Sequence, residues 1–348
     1  MSKVATFLHG GDNMLARRAS VDVIYQGVNI TSEISNDLLS FGYTDNASGV
    51  ADDISIELKD DTGKWITSWA PQKGDNISAN IKTLNWRYDG DNQILKCGEY
   101  LVDDINYFGR PRTLSIGAIS TPANTDFMST PKSKTWELAS VKKISQSIAD
   151  ASKLQLYYDT QYNPVIHFIE QSETSDVTFL YDICRKNGLA LKVYSNKLVI
   201  FRESEYEAKK EVDTIYESDT KMWNAKTSFT NTGYDGCRVE YSDPLTGSFY
   251  EYLFIAPGKT GKKIYKVNEA VSSWSEAERL AKSTLRELNK KENQIFVTIP
   301  GNLLLVASNT VMISGFGIFD GKYYIDKVTH SLSNFETGLE LHKVLEGY

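Results

Sequence analysis

Cysteine is scarce in this chain. Of 348 residues only Cys97, Cys184 and Cys237 carry a thiol, an odd number, widely spaced and without a Cys-x-x-Cys pair. Neither a disulfide framework nor a zinc knuckle follows from such spacing, and the three read as small buried hydrophobes. The four histidines are scattered and give no metal-ligand spacing of their own. An excess of positive charge is also missing. Lys and Arg number 38 against 45 Asp and Glu, a net charge of -7, which argues against tight duplex binding because neutralising phosphates takes clustered cations. The longest apolar stretch, around Leu303 to Ala307, is far too short to cross a bilayer, so no membrane insertion is expected. Residues Met1 to Gly11 lack the basic and long apolar regions of a signal peptide, so the chain is expected to be made and assembled in the cytoplasm.

What the sequence does have is an average globular composition, 41% hydrophobic and 24% charged, with 20 Tyr, 14 Phe and six Trp. A chain of this length exceeds what one hydrophobic core usually serves, so two or three packed domains are expected. From Ala19 to Ser120 residues alternate with period two, as in Ala19 to Tyr25 and Asp53 to Leu58, and again at Asn76 to Trp86, Leu95 to Asn106 and Arg112 to Ile119. Turn residues at Asp60 to Gly63, Pro71 to Asp75 and Tyr88 to Asp91 separate them. The spacing predicts a closed or nearly closed antiparallel barrel over 1–120.

After Pro122 the pattern changes. Asn124 to Thr135 reads as a linker, and small α+β middle domains are expected over 121–210. One helix should carry Leu138, Val141, Ile144, Ile148 and Ala151 on a stripe, followed by a strand at Leu154 to Tyr158. A second should start at the cap Ser175, bury Phe179, Ile183 and Cys184, and stop at Gly188. Strands at Leu189 to Tyr194 and Lys197 to Arg202 would be joined by a turn at Ser195-Asn196. A second β-barrel is expected over 211–348. Its strands fall at Gly236 to Tyr241, Ser248 to Phe254, Gln294 to Ile299, Thr310 to Ser314, Lys322 to His330 and Glu336 to Lys343, with one helix at 274–291 capped by Ser273 and Glu276. The fold class is thus mainly β with α+β insertions: two small antiparallel β-barrel domains joined by small helix-strand domains.

The segment from Trp274 to Leu341 carries a helix ending Leu285-Arg286-Glu-Leu-Asn289, a strand to Pro300, a Gly-rich turn Gly315-Phe-Gly317, Asp320-Gly321, and strands ending at His330 and Leu341. In that order it resembles the phage late control D family of tail and baseplate hub proteins, in the form found in Gram-positive prophages and tail-like bacteriocins. Thr178 to Val193 is similar to the family's middle domain, and Ile116 to Pro122 to its exit from the first barrel. Leu303 to Ser308 departs from the family, which often has Gly-x-Pro there. The resemblance implies a structural homotrimer whose six tube-like barrels join a sixfold tail tube protein to a threefold spike protein among other baseplate proteins. DNA would pass through its lumen without specific binding, and the chain would be part of a virion or tail-like particle.

Chemical motifs are weaker. Gly258-Lys259-Thr260 has Leu253 where a phosphate loop needs glycine, and reads as a solvated turn. Asp52-Asp53, Asp60-Asp61 and Asp89-Gly-Asp91 lack the spacing of a calcium loop. His9-Gly-Gly-Asp12 reads as part of an N-terminal arm, and His330 as a packed strand residue. Glu203, Glu205 and Glu207 alternate as the exposed face of a strand would, which sets aside a paired-carboxylate cell-wall hydrolase. Trp65, Trp69 and Trp86 are the residues on which a carbohydrate- or receptor-binding module would rest. No catalytic, cofactor-binding or metal-ligating residue is assigned, no cofactor is expected, and the chain is read as a non-enzyme.

Overall fold

The computed structural model describes residues 16–122, 125–194, 196–244 and 247–347. The first lobe is built from β1 (Arg18–Tyr25), β2 (Val28–Asn29), a short turn of helix α1 (Thr31–Ile34), β3 (Leu38–Asn46), β4 (Asp53–Lys59), β5 (Asn76–Leu84), β6 (Gln93–Phe108) and β7 (Thr113–Ile119). Period-two alternation does here what the sequence predicts. Val21 and Val23, Ile54, Ile56 and Leu58, Ile77, Ala79 and Ile81, and Leu114, Ile116 and Ala118 all turn inward to one core. The sequence reading missed β3, whose core residues Phe41 and Tyr43 are flanked by Ser, Gly and Thr that dilute the apolar signal.

The middle segment comprises α2 (Thr125–Ser129), β8 (Lys132–Ser140), α3 (Val141–Ala151), β9 (Gln155–Asp159), β10 (Val165–Thr174), α4 (Asp176–Lys186), β11 (Ala190–Tyr194), β12 (Lys197–Phe201) and α5 (Glu203–Glu207). Two expectations fail here. The stretch expected as linker holds α2 and the start of β8, and Phe127 is wholly buried against the core of this segment. Leu138 lies in β8, exposed, rather than on the stripe of α3. The caps behave as read: Ser175 Oγ accepts from Thr178 N, and Gly188 takes φ +68° just beyond α4, a conformation that costs glycine little.

The last third contains β13 (Asp213–Tyr216), β14 (Met222–Thr227), β15 (Gly236–Ser242), β16 (Phe249–Ile255), β17 (Ile264–Val267), α6 (Trp274–Asn289), β18 (Asn293–Pro300), β19 (Thr310–Ser314), β20 (Gly321–Ser331) and β21 (Glu336–Lys343). β15, β16 and β17 form a separate three-stranded sheet that shares a core with α6, outside the second lobe's sheet. The Asp320-Gly321 signal is a hairpin between β19 and β20. Its loop is longer than two residues, because a 3-10 turn at Gly317–Phe319 intervenes and Gly321 already belongs to β20.

The two β lobes are not separate barrels. Among the described residues their strands form one 13-stranded sheet, in the order β14-β18-β21-β20-β3-β4-β7-β6-β5-β1-β2, with β19 and β13 branching from β20, and its ladders do not close. The lobes join where β20 pairs antiparallel with β3, from Lys327 opposite Asn46 to Ser331 opposite Gly42. Three pairings, β13 with β19, β9 with β12 and β15 with β17, are parallel. Each lobe keeps its own core, one around Val23, Ile56 and Ile81 and the other around Ile295, Val311, Tyr323 and Leu339. A second contact ties them: Trp86 Nε1 donates to Gly301 O at 2.6 Å, and the Trp86 ring stands edge-on to Phe335 at 4.4 Å.

Candidate functional site

The short helix α5 follows directly on β12 and brings Glu203 and Glu207 onto one side, a helical turn apart. This corrects the strand reading of Glu203 to Glu207: both outer carboxylates are buried, 7% and 2% exposed, while Glu205 is exposed. A five-residue helix rich in Glu, Ser and Tyr gives no apolar period to detect. Facing it, the last turn of α6 supplies Arg286 and, just beyond, Lys290, and β21 supplies His342. Arg286 lies 3.3 Å from Glu203 and 2.5 Å from Glu207, and Lys290 lies 2.8 Å from Glu203. His342 places Nε2 2.8 Å from Glu207 Oε1 and Nδ1 2.8 Å from both oxygens of Asp326.

That geometry fixes the charges. An imidazole with a carboxylate at each nitrogen must donate from both, so His342 is an imidazolium. Burial opposes that charge, but Asp326 and Glu207 more than offset it and raise the pKa to about 9. Burial likewise opposes ionisation of Glu203, yet Lys290, His342 and Arg286 together bring it down to about 2. Three carboxylates then face three cations. Glu203, Glu207 and His342 are the trio of metal-type donors that converge among the described residues. Each already serves a fixed cation or carboxylate, so a metal would have to displace Arg286 and deprotonate His342. The arrangement is an ion-pair clamp between α5, α6 and the second lobe. A general acid needs a carboxyl that keeps its proton near neutral pH, and these two do not.

A second clamp joins three distant segments. Lys192 on β11 pairs with Asp45 on β3, lies 3.0 Å from Asp52, and donates to Asn46 O at 2.7 Å. Asp45 Oδ2 also accepts from Ala307 N at 2.8 Å. Burial pushes Asp52 up to about 6 against the pull of Lys192.

Other sequence candidates have structural places. His330 is fully buried, stacked 6.0 Å from Tyr43 with Nδ1 3.0 Å from Thr337 Oγ1, and burial lowers its pKa to about 4, so it is neutral. The three cysteines are buried and free, and burial lifts each thiol to about 12, far from a nucleophile. Gly258 sits in a turn, and Thr260 Oγ1 donates to Asp235 at 3.0 Å. Asp52, Asp60 and Asp91 accept from the backbone nitrogens of Asn46, Trp65 and Arg87. Trp65 is a core residue whose Nε1 donates to Asp37, and Trp86 is committed to Gly301 and Phe335, so only Trp69 of the three stands open at 45%. They do not form a glycan platform. His9 and Asp12 lie outside the described residues. Sequence reading missed Arg286, Lys290, Asp326 and His342 as a group. Arg286, Lys290 and His342 meet the α5 carboxylates across 83 to 135 residues, beyond any local spacing signal, and Asp326 meets His342 across 16.

No family model matches the chain. Among curated proteins it is 26% identical, over an alignment of 374 positions covering 90% of each, to the probable baseplate hub protein of Escherichia phage 186. It is 29% identical to the probable baseplate hub protein of Escherichia phage P2 over 177 positions, half of this chain and 42% of that relative. Among solved structures it superposes with a TM-score of 0.72 on the 43 kDa tail protein of prophage MuSo2 from Shewanella oneidensis, at 12% identity, covering 94% of this chain and 99% of that one.

Proposed function

We propose that this chain, a relative of phage baseplate hub proteins along nine tenths of its length, is the structural hub of a contractile phage-type baseplate and assembles as a homotrimer. Three copies supply six sheet lobes, a pseudo-sixfold ring that docks on a sixfold tail tube and accepts a threefold spike on its other face. The chain is carried in the virion or tail-like particle after assembly in the cytoplasm, and no catalytic step is assigned to it.

The observation that carries the reading is the fusion of both lobes into one sheet by the β20–β3 ladder; among the described residues β14 is an outer strand at one end, and β1 is paired along its outer edge only at Ile24 and Tyr25 at the other. Unpaired edges invite pairing with a further chain, and among the described residues β14, β1 and the branching strand β13 are outer strands that neighbouring copies could meet. The non-core face of the sheet supports the same reading. Across the junction it presents the cross-strand rows Thr298, Gly338, Thr329, Thr44 and Ser331, Gly42, Ser55, Gly117. Such a surface is small and hydroxylated, and its rows run into the carboxylates of Asp53, Asp104 and Glu336 rather than into clustered cations, so it offers little to hold a polyanion. In this reading that face is luminal, with β20 and β6 contributing to the inner ring.

Sedimentation equilibrium of the purified chain, alone and with the cognate tube protein, tests the proposal. A species of three chain masses that binds tube protein is expected. A chain that stays monomeric at all concentrations and ignores tube protein contradicts it.

A further inference from the structure

A cavity of about 430 Å³ opens between α6 and the segments that follow β9 and β12, lined among others by Tyr162, Asn163, Arg202, Glu278, Arg279 and Lys282. None of its lining residues belongs to the fused sheet. We propose that this cleft is a docking site for a carboxylate-rich segment of a partner protein.

The argument is one of uncompensated charge. Glu278, the acid in the cavity wall, is neutralised by Lys282 at 2.6 Å. The two arginines have no such partner among the described residues. Arg279 donates only to neutral acceptors, Asn187 Oδ1 at 2.8 Å and Val165 O at 3.4 Å. The Arg202 guanidinium lies over the Tyr162 ring, 4.6 Å from its centroid, with no hydrogen bond or ion pair among the described residues. Arg286 contributes to the floor but is committed to Glu203 and Glu207. Two arginines therefore line one cleft on a protein of net charge -7. Holding like charges together costs free energy that an incoming anion recovers, and the planar fork matches a carboxylate in two parallel hydrogen bonds.

The remaining lining favours peptide over nucleic acid. Asn163 gives its carbonyl to Lys142 N at 3.1 Å and keeps its amide NH₂ as a free donor, while Gln161 offers both donor and acceptor to a peptide backbone. The site is a half-open cleft rather than a basic stripe, and it keeps a carboxylate in its wall.

This inference stands independently of the trimeric reading, and its test needs only the full chain. Fluorescein-labelled hexaglutamate is titrated with protein and followed by anisotropy, and hexathymidylate and inorganic phosphate are titrated as unlabelled competitors. Saturable binding is expected, weakened about tenfold by Arg202→Gln and partly restored by Arg202→Lys, since a single charge-assisted fork contributes on that order. The Arg202 guanidinium makes no hydrogen bond among the described residues, so the thermal melt of that variant should stay close to the parent. Absence of saturable binding, equal binding by Arg202→Gln, or tighter binding of hexathymidylate or phosphate than of peptide would each overturn the proposal.

Discussion

At the scale of single residues, the buried clamp of Glu203, Glu207, Asp326, Arg286, Lys290 and His342 ties helices to sheet with its charges balanced. Removing one partner leaves the buried charges unbalanced, which costs about 3–5 kcal/mol. Arg286→Met and His342→Gln should each lose stability of that order in urea unfolding. The pH dependence has a sign on each side. His342 has its pKa raised to about 9 in the fold, so its contribution is complete below about 6.5, its ordinary value, and is lost as pH rises through 9. Glu203 is held at about 2, so its contribution is complete above about 4.5 and is lost as pH falls toward 2. Thermal melts should therefore show a plateau between these limits with loss on both sides, and His342→Gln should flatten the alkaline limb while leaving the acid one. An unchanged alkaline limb in that variant would refute the assignment of charge to His342. Gly301 is a second such point. A Cβ there would meet the Phe335 ring at 2.4 Å, in the contact that joins the lobes through Trp86, so Gly301→Ala should destabilise by about 1–3 kcal/mol through overpacking.

Elements show where local signals suffice. Ser273 Oγ accepts from Glu276 N at the start of α6, and Glu276 Oε2 accepts from Ser272 N. Ser273→Ala should cost about 1 kcal/mol in chemical denaturation, the ordinary worth of such a cap. That helix was legible from its cap and its stripe of Ala277, Leu280, Ala281 and Leu285, and so were the strands of the first lobe that alternate cleanly. Strands β8 and β10 were not, because they pair only with each other and expose most of their residues, so polar and basic side chains carry no period. The short α5 was hidden for the same reason. The clamp around Lys192 could not be seen either: Asp45, Lys192 and Ala307 meet only after the middle segment folds back onto β3. Recognition of the family order from Trp274 to Leu341 reached further than periodicity, since it anticipated a hub-like fold that no single motif encodes.

For the whole molecule, one fused, open sheet stands where two separate small barrels, closed or nearly closed, were expected. Closure within each lobe would have removed the edges; an open sheet keeps them, and in the proposed ring those edges meet neighbouring copies. Successive backbone N–H groups in β14 point alternately toward β18 and away from it. Of the two variants Asn224→Pro and Ala225→Pro, the one whose lost N–H points outward should keep the monomer fold and lose assembly, as read by circular dichroism and size-exclusion mass. Loss of neither property in both variants would free β14 from any role in the ring. The most direct measurement of the central claim is electron microscopy of the purified chain, sorted into end-on class averages. The account predicts a threefold ring with six lobes around an open channel bordered by the Thr44, Thr329 and Ser331 face; an isolated monomer or a twofold dimer with that face buried would contradict it.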